Sequence, residues 1–143
     1  MTTIGRVLAF VGCVSSLTAC SAQESVPMPA SDCLERVLEP SLFLVQRMQD
    51  DGFALSKPRV VTHLFFGSAA EIDSAAKQFS GQRYDILERA KGRLLVGHTT
   101  AIPAGWVRKM MPEMCSVGQQ FSLRYDGWDI DVAAEKHKSK ADQ

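Results

Sequence analysis

The sequence shows no excess of charge of either sign. Its 16 lysines and arginines are balanced by 16 aspartates and glutamates among 143 residues, so the formal net charge is zero. Domains that hold polyanions or anionic membrane surfaces usually carry a net basic charge or a dense basic patch. The balance argues against a strongly basic nucleic-acid-binding domain, and we expect no direct binding of nucleic acid.

Motifs of catalysis and metal binding are also missing. No nucleophile elbow, phosphate-binding loop, HExxH pair, EF-hand loop or dinucleotide fingerprint occurs in the chain. Of the three histidines, His63 and His98 fall in predicted neighbouring strands, but those strands offer no obvious third metal ligand on the same face. We therefore predict no enzymatic activity, no metal and no cofactor.

No apolar run is long enough to span a bilayer as a mature helix, yet residues 1–20 have the organisation of a signal peptide. Arg6 precedes the apolar stretch Val7–Leu17, and Leu17–Cys20, with the sequence LTAC, is similar to the lipobox of bacterial lipoproteins. In those proteins cleavage occurs before the cysteine, which then becomes lipidated. The segment predicts a lipoprotein-type signal peptide with Cys20 as the lipidation site.

This N terminus leaves two alternatives for localisation. Ser21 follows the cysteine, and the sorting rule of bacterial lipoproteins favours the outer membrane where that residue is not aspartate. We expect a lipid-anchored, periplasm-facing protein of the cell envelope, held at the membrane through Cys20. The alternative is a misplaced start codon, because Met28 lies just upstream of the predicted domain, and the protein would then be cytoplasmic.

Cysteines are scarce, with four in the chain. If the signal is cleaved, Cys13 is removed with it, Cys20 carries lipid, and only Cys33 and Cys115 remain. An even pair in an oxidising compartment is a candidate disulfide, and closing a loop of about 80 residues would stabilise the fold by roughly 4 kcal/mol. The alternative is two buried free thiols that act as small apolar side chains.

Composition and periodicity divide the rest of the chain. Residues 21–32 are rich in Ser, Pro and Ala and predict a flexible tether, residues 33–132 predict one domain, and residues 133–143 predict a polar tail. The predicted elements are a helix over Leu34–Met48 that Pro40 divides or restarts, a strand Arg59–Gly67, a helix Ser68–Phe79, strands Arg83–Ala90 and Arg93–Thr100, a helix opened by Pro103 and kinked or restarted at Pro112, and a strand Phe121–Val132.

This order predicts an α+β fold of the ferredoxin-like type. A βαββαβ succession after one extra N-terminal helix gives an antiparallel four-stranded sheet, ordered 4-1-3-2, with two helices on one face. The continuous apolar runs Leu64–Phe66 and Leu94–Val96 are typical of the central strands of such a sheet. Because those runs are apolar on both faces, something must shield the second face. We expect the extra N-terminal helix to do so, and a partner protein is the alternative.

The last predicted strand contains two aromatics, two carboxylates and a glycine in the five residues Tyr125–Asp129. The carboxylates could suggest acid-base or cation chemistry, but charges that block an edge strand from pairing explain them more simply. Gly127 permits a bulge or a bend, which would direct the Trp128 indole either over the edge of the core or toward a ligand.

The stretch RYDGWDID, Arg124–Asp131, resembles the C-terminal hallmark of the family called regulator of ribonuclease E activity B (RraB). The stretch LSKPR before the first strand and the order of elements agree, and the similarity covers Met48–Val132. The resemblance implies a ferredoxin-like domain whose founding activity is to bind and inhibit a cytoplasmic endoribonuclease without catalysis. It makes a family signature of four residues: Tyr125, Asp126, Gly127 and Trp128.

Two hypotheses follow for function. The first is an RraB-like, non-enzymatic protein-binding domain on a lipid-anchored envelope protein, which binds or inhibits a protein partner that the sequence does not identify. The second is a cytoplasmic inhibitor of ribonuclease E with a misplaced start. An enzyme that uses the carboxylates around Asp126 is a weaker third alternative.

Overall fold

The computed structural model describes residues 29–132, which form a four-stranded antiparallel sheet and three helices. The elements are α1 Ala30–Asp50, β1 Arg59–Phe66, α2 Ala69–Ser80, β2 Asp85–Ala90, β3 Arg93–Thr100, α3 Trp106–Gln120 and β4 Arg124–Ile130. The strand order is β2-β3-β1-β4. This confirms the predicted α+β class, the order of the sheet and the extra N-terminal helix.

The predicted signal peptide with Cys13 and Cys20, nearly all of the predicted tether and the predicted polar tail lie outside the described residues. Within residues 29–132, no helix has both the length and the apolar character needed to cross a membrane.

Several boundaries follow from local chemistry that the sequence already displays. Ser68 accepts a hydrogen bond from the backbone N–H of Glu71, whose carboxylate accepts one from the backbone N–H of Ser68, so a complete capping box begins α2. Gly81 ends that helix. Gly92 has a φ of 79°, which suits glycine, in the tight turn between β2 and β3.

The predictions that Pro40 divides or restarts the first helix and that Pro112 restarts the last one are wrong. α1 runs without interruption through Pro40, and α3 runs through Pro112. Both prolines are solvent-exposed. Because each lies on the outer side of its helix, water can hydrate the carbonyl that lacks an amide donor, and the lost bond does not leave a buried polar group.

The helices cover one face of the sheet. In β1, Val61, His63 and Phe65 are fully buried, whereas the alternating residues are partly or largely exposed. Phe65 packs on Phe79 of α2, with ring centroids 5.7 Å apart, and the Tyr125 hydroxyl of β4 lies 3.8 Å from Met111 Sδ of α3. The core therefore lies between this face and the helices.

α1 belongs to the same helical layer, so the expectation that it shields the second face is wrong. Its buried residues are Cys33, Val37, Ser41 and Met48, and they face α3 and β4. Cys33 is joined to Cys115 of α3 by a disulfide, with 5.8 Å between the two Cα atoms. α1 therefore widens the helical layer beside α3, and no helix within residues 29–132 lies over the second face of the sheet.

Candidate functional site

The signature residues lie at an irregularity in β4. Tyr125 pairs with Phe65 of β1, but Gly127 pairs with the preceding residue, Leu64, so Asp126 is an additional residue without a partner. This is a β-bulge, and Gly127 beside it has a φ of 126°, which residues with a Cβ rarely adopt. The glycine therefore permits the irregular geometry that the sequence suggested.

The bulge changes which side chains reach the core. In a regular strand Tyr125 and Trp128, three positions apart, would point to opposite faces. The additional residue restores Trp128 to the helix-covered face, where it pairs with His63 while Tyr125 pairs with Phe65. Both signature aromatics thus pack on the same side of the sheet.

Trp128 packs against the core edge and connects three elements. Its ring contacts Trp106 of α3 edge-on, with centroids 5.0 Å apart. Its indole N–H donates a hydrogen bond to Ser41 Oγ of α1 over 2.9 Å. Because both contacts are internal, the indole is directed over the core edge and not toward an external ligand.

Tyr125 is the largest of the fully buried side chains in the described residues. Its hydroxyl lies 2.9 Å from His63 Nδ1, and its ring packs on Phe65 with a centroid distance of 4.9 Å. Burial raises the pKa of Tyr125, and the nearby Tyr84 adds to that effect. The hydroxyl therefore stays protonated at neutral pH and serves packing and hydrogen bonding.

Asp126 lies at the surface between two arginines. Its Oδ1 is 2.8 Å from Arg124 Nη1 and 3.7 Å from Arg36 Nη1 of α1. The Arg36 guanidinium also donates a hydrogen bond to the Tyr125 carbonyl. Arg36 thus holds α1 to the bulge through one charged and one backbone acceptor, although such exposed ion pairs are individually weak.

Asp129 blocks part of the outer edge of the sheet. Its Oδ1 accepts a hydrogen bond from the backbone N–H of Ile130 over 2.7 Å. The Arg36 bond to the Tyr125 carbonyl occupies an acceptor of the same strand. These contacts agree with the edge-blocking interpretation of the charges, because backbone groups already bonded are not available to another strand.

Shallow grooves flank the bulge on both sides. One, of about 180 Å³, runs between α1 and β4 and includes Pro40 and Leu44. The other, of about 300 Å³, lies over the sheet and includes Leu64 and Leu95. Both grooves are lined in common by three signature residues: Asp126, Gly127 and Trp128.

The second groove belongs to the face that none of the three described helices covers, which we call the open face. Its apolar side chains are Val60, Leu64, Phe66, Leu87 and Leu95. Leu87 is 48% exposed and Val60 44% exposed. Arg124 lies over the Phe66 ring, with 4.7 Å from its Cζ to the ring centroid, and Asp129 of β4, opposite Thr62, lines the groove. The open face is therefore an apolar strip with charged groups at its margins.

The two strand histidines lie in the core. His63 and His98 have ring centroids 5.4 Å apart. Burial, reinforced by the neighbouring His98, lowers the pKa of His63 to about 3, and burial together with Arg83 lowers the pKa of His98. Both rings are therefore neutral at pH 7. No group of three or more His, Cys, Asp or Glu side chains within residues 29–132 is placed to hold a metal ion.

Sequence reasoning missed two contributors to this region, Arg36 and Ser41. Both lie on α1 and contact the signature strand. A signal was present for Ser41, because Cys33, Val37 and Ser41 repeat every four residues and share one helical face. A serine within an apolar stripe indicates a buried partner for its hydroxyl, which here is the Trp128 indole.

Comparison with known proteins decides the family. The chain matches the family described as Regulator of ribonuclease activity B over residues 41–130, more than half of its length. The protein belongs to the regulator of ribonuclease activity B family. No curated protein matches the chain significantly.

The family match includes the signature strand and Ser41 of α1, which contacts it. The match spans the second half of α1 to the end of β4, so it includes Ser41 and all four signature residues. The family is one of regulators and not of catalysts. In the site described above, the aromatic side chains pack against the core and the carboxylates of Asp126 and Asp129 lie at the surface. A regulatory role through contact with another protein is the general function that membership supports.

Proposed function

We propose that this protein is a lipid-anchored envelope member of its family, which regulates a protein partner by binding it and performs no catalysis. Membership of a regulator family over residues 41–130 is the observation that carries the proposal. A protein partner accounts for the open face, because apolar strips of this kind on a folded domain usually mark interaction sites.

The open face supplies the binding surface in this proposal. It offers the apolar strip of Leu64, Leu87 and Leu95 together with the groove beside the bulge. The backbone of β4 is partly occupied by Arg36 and Asp129, so addition of a strand at that edge is disfavoured. Side-chain contacts across the face of the sheet are therefore the expected mode of recognition.

A capture experiment with matched variants tests this surface. The full chain carrying Leu87→Glu is compared with Gln78→Glu, which places the same charge on the exposed side of α2. Both substitutions lie at exposed positions, so both variants should fold. We expect Leu87→Glu to capture a specific partner from solubilised envelopes at least about tenfold less well, as burying a charge at an apolar contact costs more than about 1.4 kcal/mol. Equal capture by the two variants would exclude the open face.

The envelope location is supported by the cysteines. Cys33 and Cys115 are bonded and buried in the fold, and disulfides persist in oxidising compartments such as the periplasm. The lipobox-like sequence before Cys20 supports the anchor. Both points favour the envelope over the cytoplasm.

Metabolic labelling with a palmitate analogue tests the anchor. We expect label on the wild-type chain and on Cys13→Ala, but none on Cys20→Ala. The Cys13 variant is the matched control, because Cys13 lies in the segment that cleavage would remove. Label that survives in Cys20→Ala would refute anchoring at this residue.

A second candidate function is the regulation of ribonuclease E in the cytoplasm, and the family description, Regulator of ribonuclease activity B, supports a ribonuclease as the partner. Cleavage of a defined RNA by purified ribonuclease E, with and without this protein, tests it. Inhibition that is stoichiometric with the protein would support the cytoplasmic alternative. Unchanged cleavage at a large molar excess would reject it.

A further inference from the structure

A pocket of about 290 Å³ lies where β3 leads into α3 and shares no lining residue with the two grooves beside the bulge. Its wall contains the end of β3, the connecting segment with Gly105, the first turn of α3 and the side chain of Arg83. We propose that this pocket binds a small oxyanion, a phosphate or a carboxylate. Its volume lies just below the roughly 300–1,000 Å³ that is typical of sites for drug-sized molecules, as expected for a smaller ligand.

The charged groups that line the pocket are all cationic. Arg83 and Lys109 contribute their positive charges, and no Asp or Glu is among the lining residues. Within residues 29–132, neither of these two cations forms an ion pair, whereas Arg89 is paired with Asp73. An anion in the pocket would therefore meet two cations that no described carboxylate pairs with at ion-pair distance.

The N-terminus of α3 adds backbone polarity of the same sign. No side chain caps it, and its first turn has no acidic residue. Its N-cap, Gly105, has a φ of 82°, and a Cβ at that position would meet no atom within 4 Å, so the backbone there is open. α2, by contrast, begins with the complete capping box of Ser68 and Glu71. The backbone N–H of Trp106 donates to the Pro103 carbonyl, but no side chain neutralises the positive end of the α3 dipole, which can attract an anion.

Two buried ring nitrogens point independently to a ligand. His98 is 5% exposed and Trp106 is 8% exposed, and both residues line the pocket. His98 Nε2 and Trp106 Nε1 have no hydrogen-bond partner among the described residues. A buried donor without an acceptor costs about 1–3 kcal/mol. An oxyanion in the pocket would accept from the Trp106 indole N–H and, in the tautomer that carries its proton on Nε2, from the neutral His98 ring.

The indole resonances of the full chain test the proposal by NMR. Inorganic phosphate, and acetate in a second titration, are added at ionic strength matched with chloride. We expect the Trp106 indole N–H resonance to shift saturably, while the Trp128 indole N–H, which is bonded to Ser41, stays in place. The anion that binds more tightly assigns the ligand to the phosphate or the carboxylate type. No saturable shift of Trp106 with either anion would overturn the proposal.

Charge variants distinguish specific binding of the anion in the pocket from a non-specific electrostatic effect. Arg83→Gln should weaken the tighter anion by about tenfold, the effect of losing one charge-assisted hydrogen bond. Arg89→Gln, at an exposed arginine outside the pocket, should leave the affinity unchanged. Equal weakening by the two variants would show a non-specific charge effect and would reject the site.

Discussion

The indole N–H of Trp128 donates to the hydroxyl oxygen of Ser41 across 2.9 Å, and this bond connects the signature strand to α1. The same hydroxyl donates to the Val37 carbonyl over 2.6 Å. The bulge at Asp126 is what places the indole on the helix side of the sheet, because it shifts Trp128 onto the face that Tyr125 already occupies. The signature therefore has a structural role that can be measured apart from any partner.

Replacing Ser41 should destabilise the fold, since Ser41→Ala leaves the partly buried indole N–H without its acceptor. We expect a loss of about 1–2 kcal/mol in the free energy of unfolding, measured by urea denaturation. The matched control is Ser74→Ala, whose hydroxyl bonds only to an exposed helical carbonyl, and its effect should be within about 0.5 kcal/mol. Equal losses would show that the Trp128 bond contributes nothing.

Gly127 should be more sensitive than its neighbour Asp126. Gly127→Val forces a Cβ-bearing residue to a φ of 126° and should cost about 1–3 kcal/mol. An added Cβ would meet no atom within 4 Å there, so the cost comes from the backbone and Gly127→Ala should show most of it. Asp126→Ala removes only exposed ion pairs and should cost up to about 1 kcal/mol.

Thermal unfolding of these variants checks the ordering. Gly81→Ala is the control, because Gly81 has a φ of −82° and a Cβ there would make ordinary contacts. Greater instability in Asp126→Ala than in Gly127→Val would contradict the role assigned to the bulge.

Removing the disulfide should lower stability substantially. The bond joins α1 to α3 and spans 82 residues of sequence. A Cys33→Ser, Cys115→Ser double variant should lose roughly 2–5 kcal/mol of unfolding free energy. A reductant should destabilise the wild-type protein and leave the double variant unchanged. If the reductant has no effect on either protein, the two cysteines are unbonded thiols in solution.

Stability should fall in acid because of His63. Its pKa is lowered to about 3 by burial, whereas an unfolded histidine titrates near 6.5. The unfolded state therefore binds more protons between these values, so the His63 contribution is complete above pH 6.5 and is lost as the pH falls toward 3. At pH 5 the loss is about 2 kcal/mol relative to pH 7.

Urea unfolding at pH 7 and at pH 5 measures this dependence. His98 contributes in the same direction, since its pKa is also lowered. His63→Asn isolates the effect, because it keeps a polar group beside the Tyr125 hydroxyl but does not titrate. The variant should lose about 2 kcal/mol less than the wild type between the two pH values. Identical losses would show that His63 does not carry the acid sensitivity.

The sequence predicted the sheet better than it predicted the surroundings of the sheet. β3 has the predicted bounds Arg93–Thr100, and the Ser68 capping box begins α2 as expected, because both depend on local chemistry. The place of α1 was predicted wrongly, since an apolar stripe shows that a helix is buried but not against which layer. The Cys33–Cys115 pair was the available signal, because a bond to α3 requires α1 to lie in the helical layer.

The sequence likewise predicted some features of the candidate site and missed others. Gly127 and Trp128 could be assigned to a bend because glycine and indole have few roles on an edge strand. The contacts of Trp128 with Ser41 and Trp106 depend on the bulge, which shifts the pairing of β4 with β1 by one residue. The alternation of apolar and polar residues in the sequence does not reveal such a shift. The pocket at the start of α3 depends on tertiary packing that joins Arg83 to a helix more than twenty residues away in sequence.

Site-specific photo-crosslinking in cells tests most directly the central claim, that the protein binds a partner protein through the open face. A photoreactive amino acid is introduced at Leu64, which lines the groove beside the bulge, and at Gln78, which is exposed on the helical side. We predict one discrete crosslinked species from position 64 and none from position 78. No crosslink from position 64, or the same species from both positions, would contradict it.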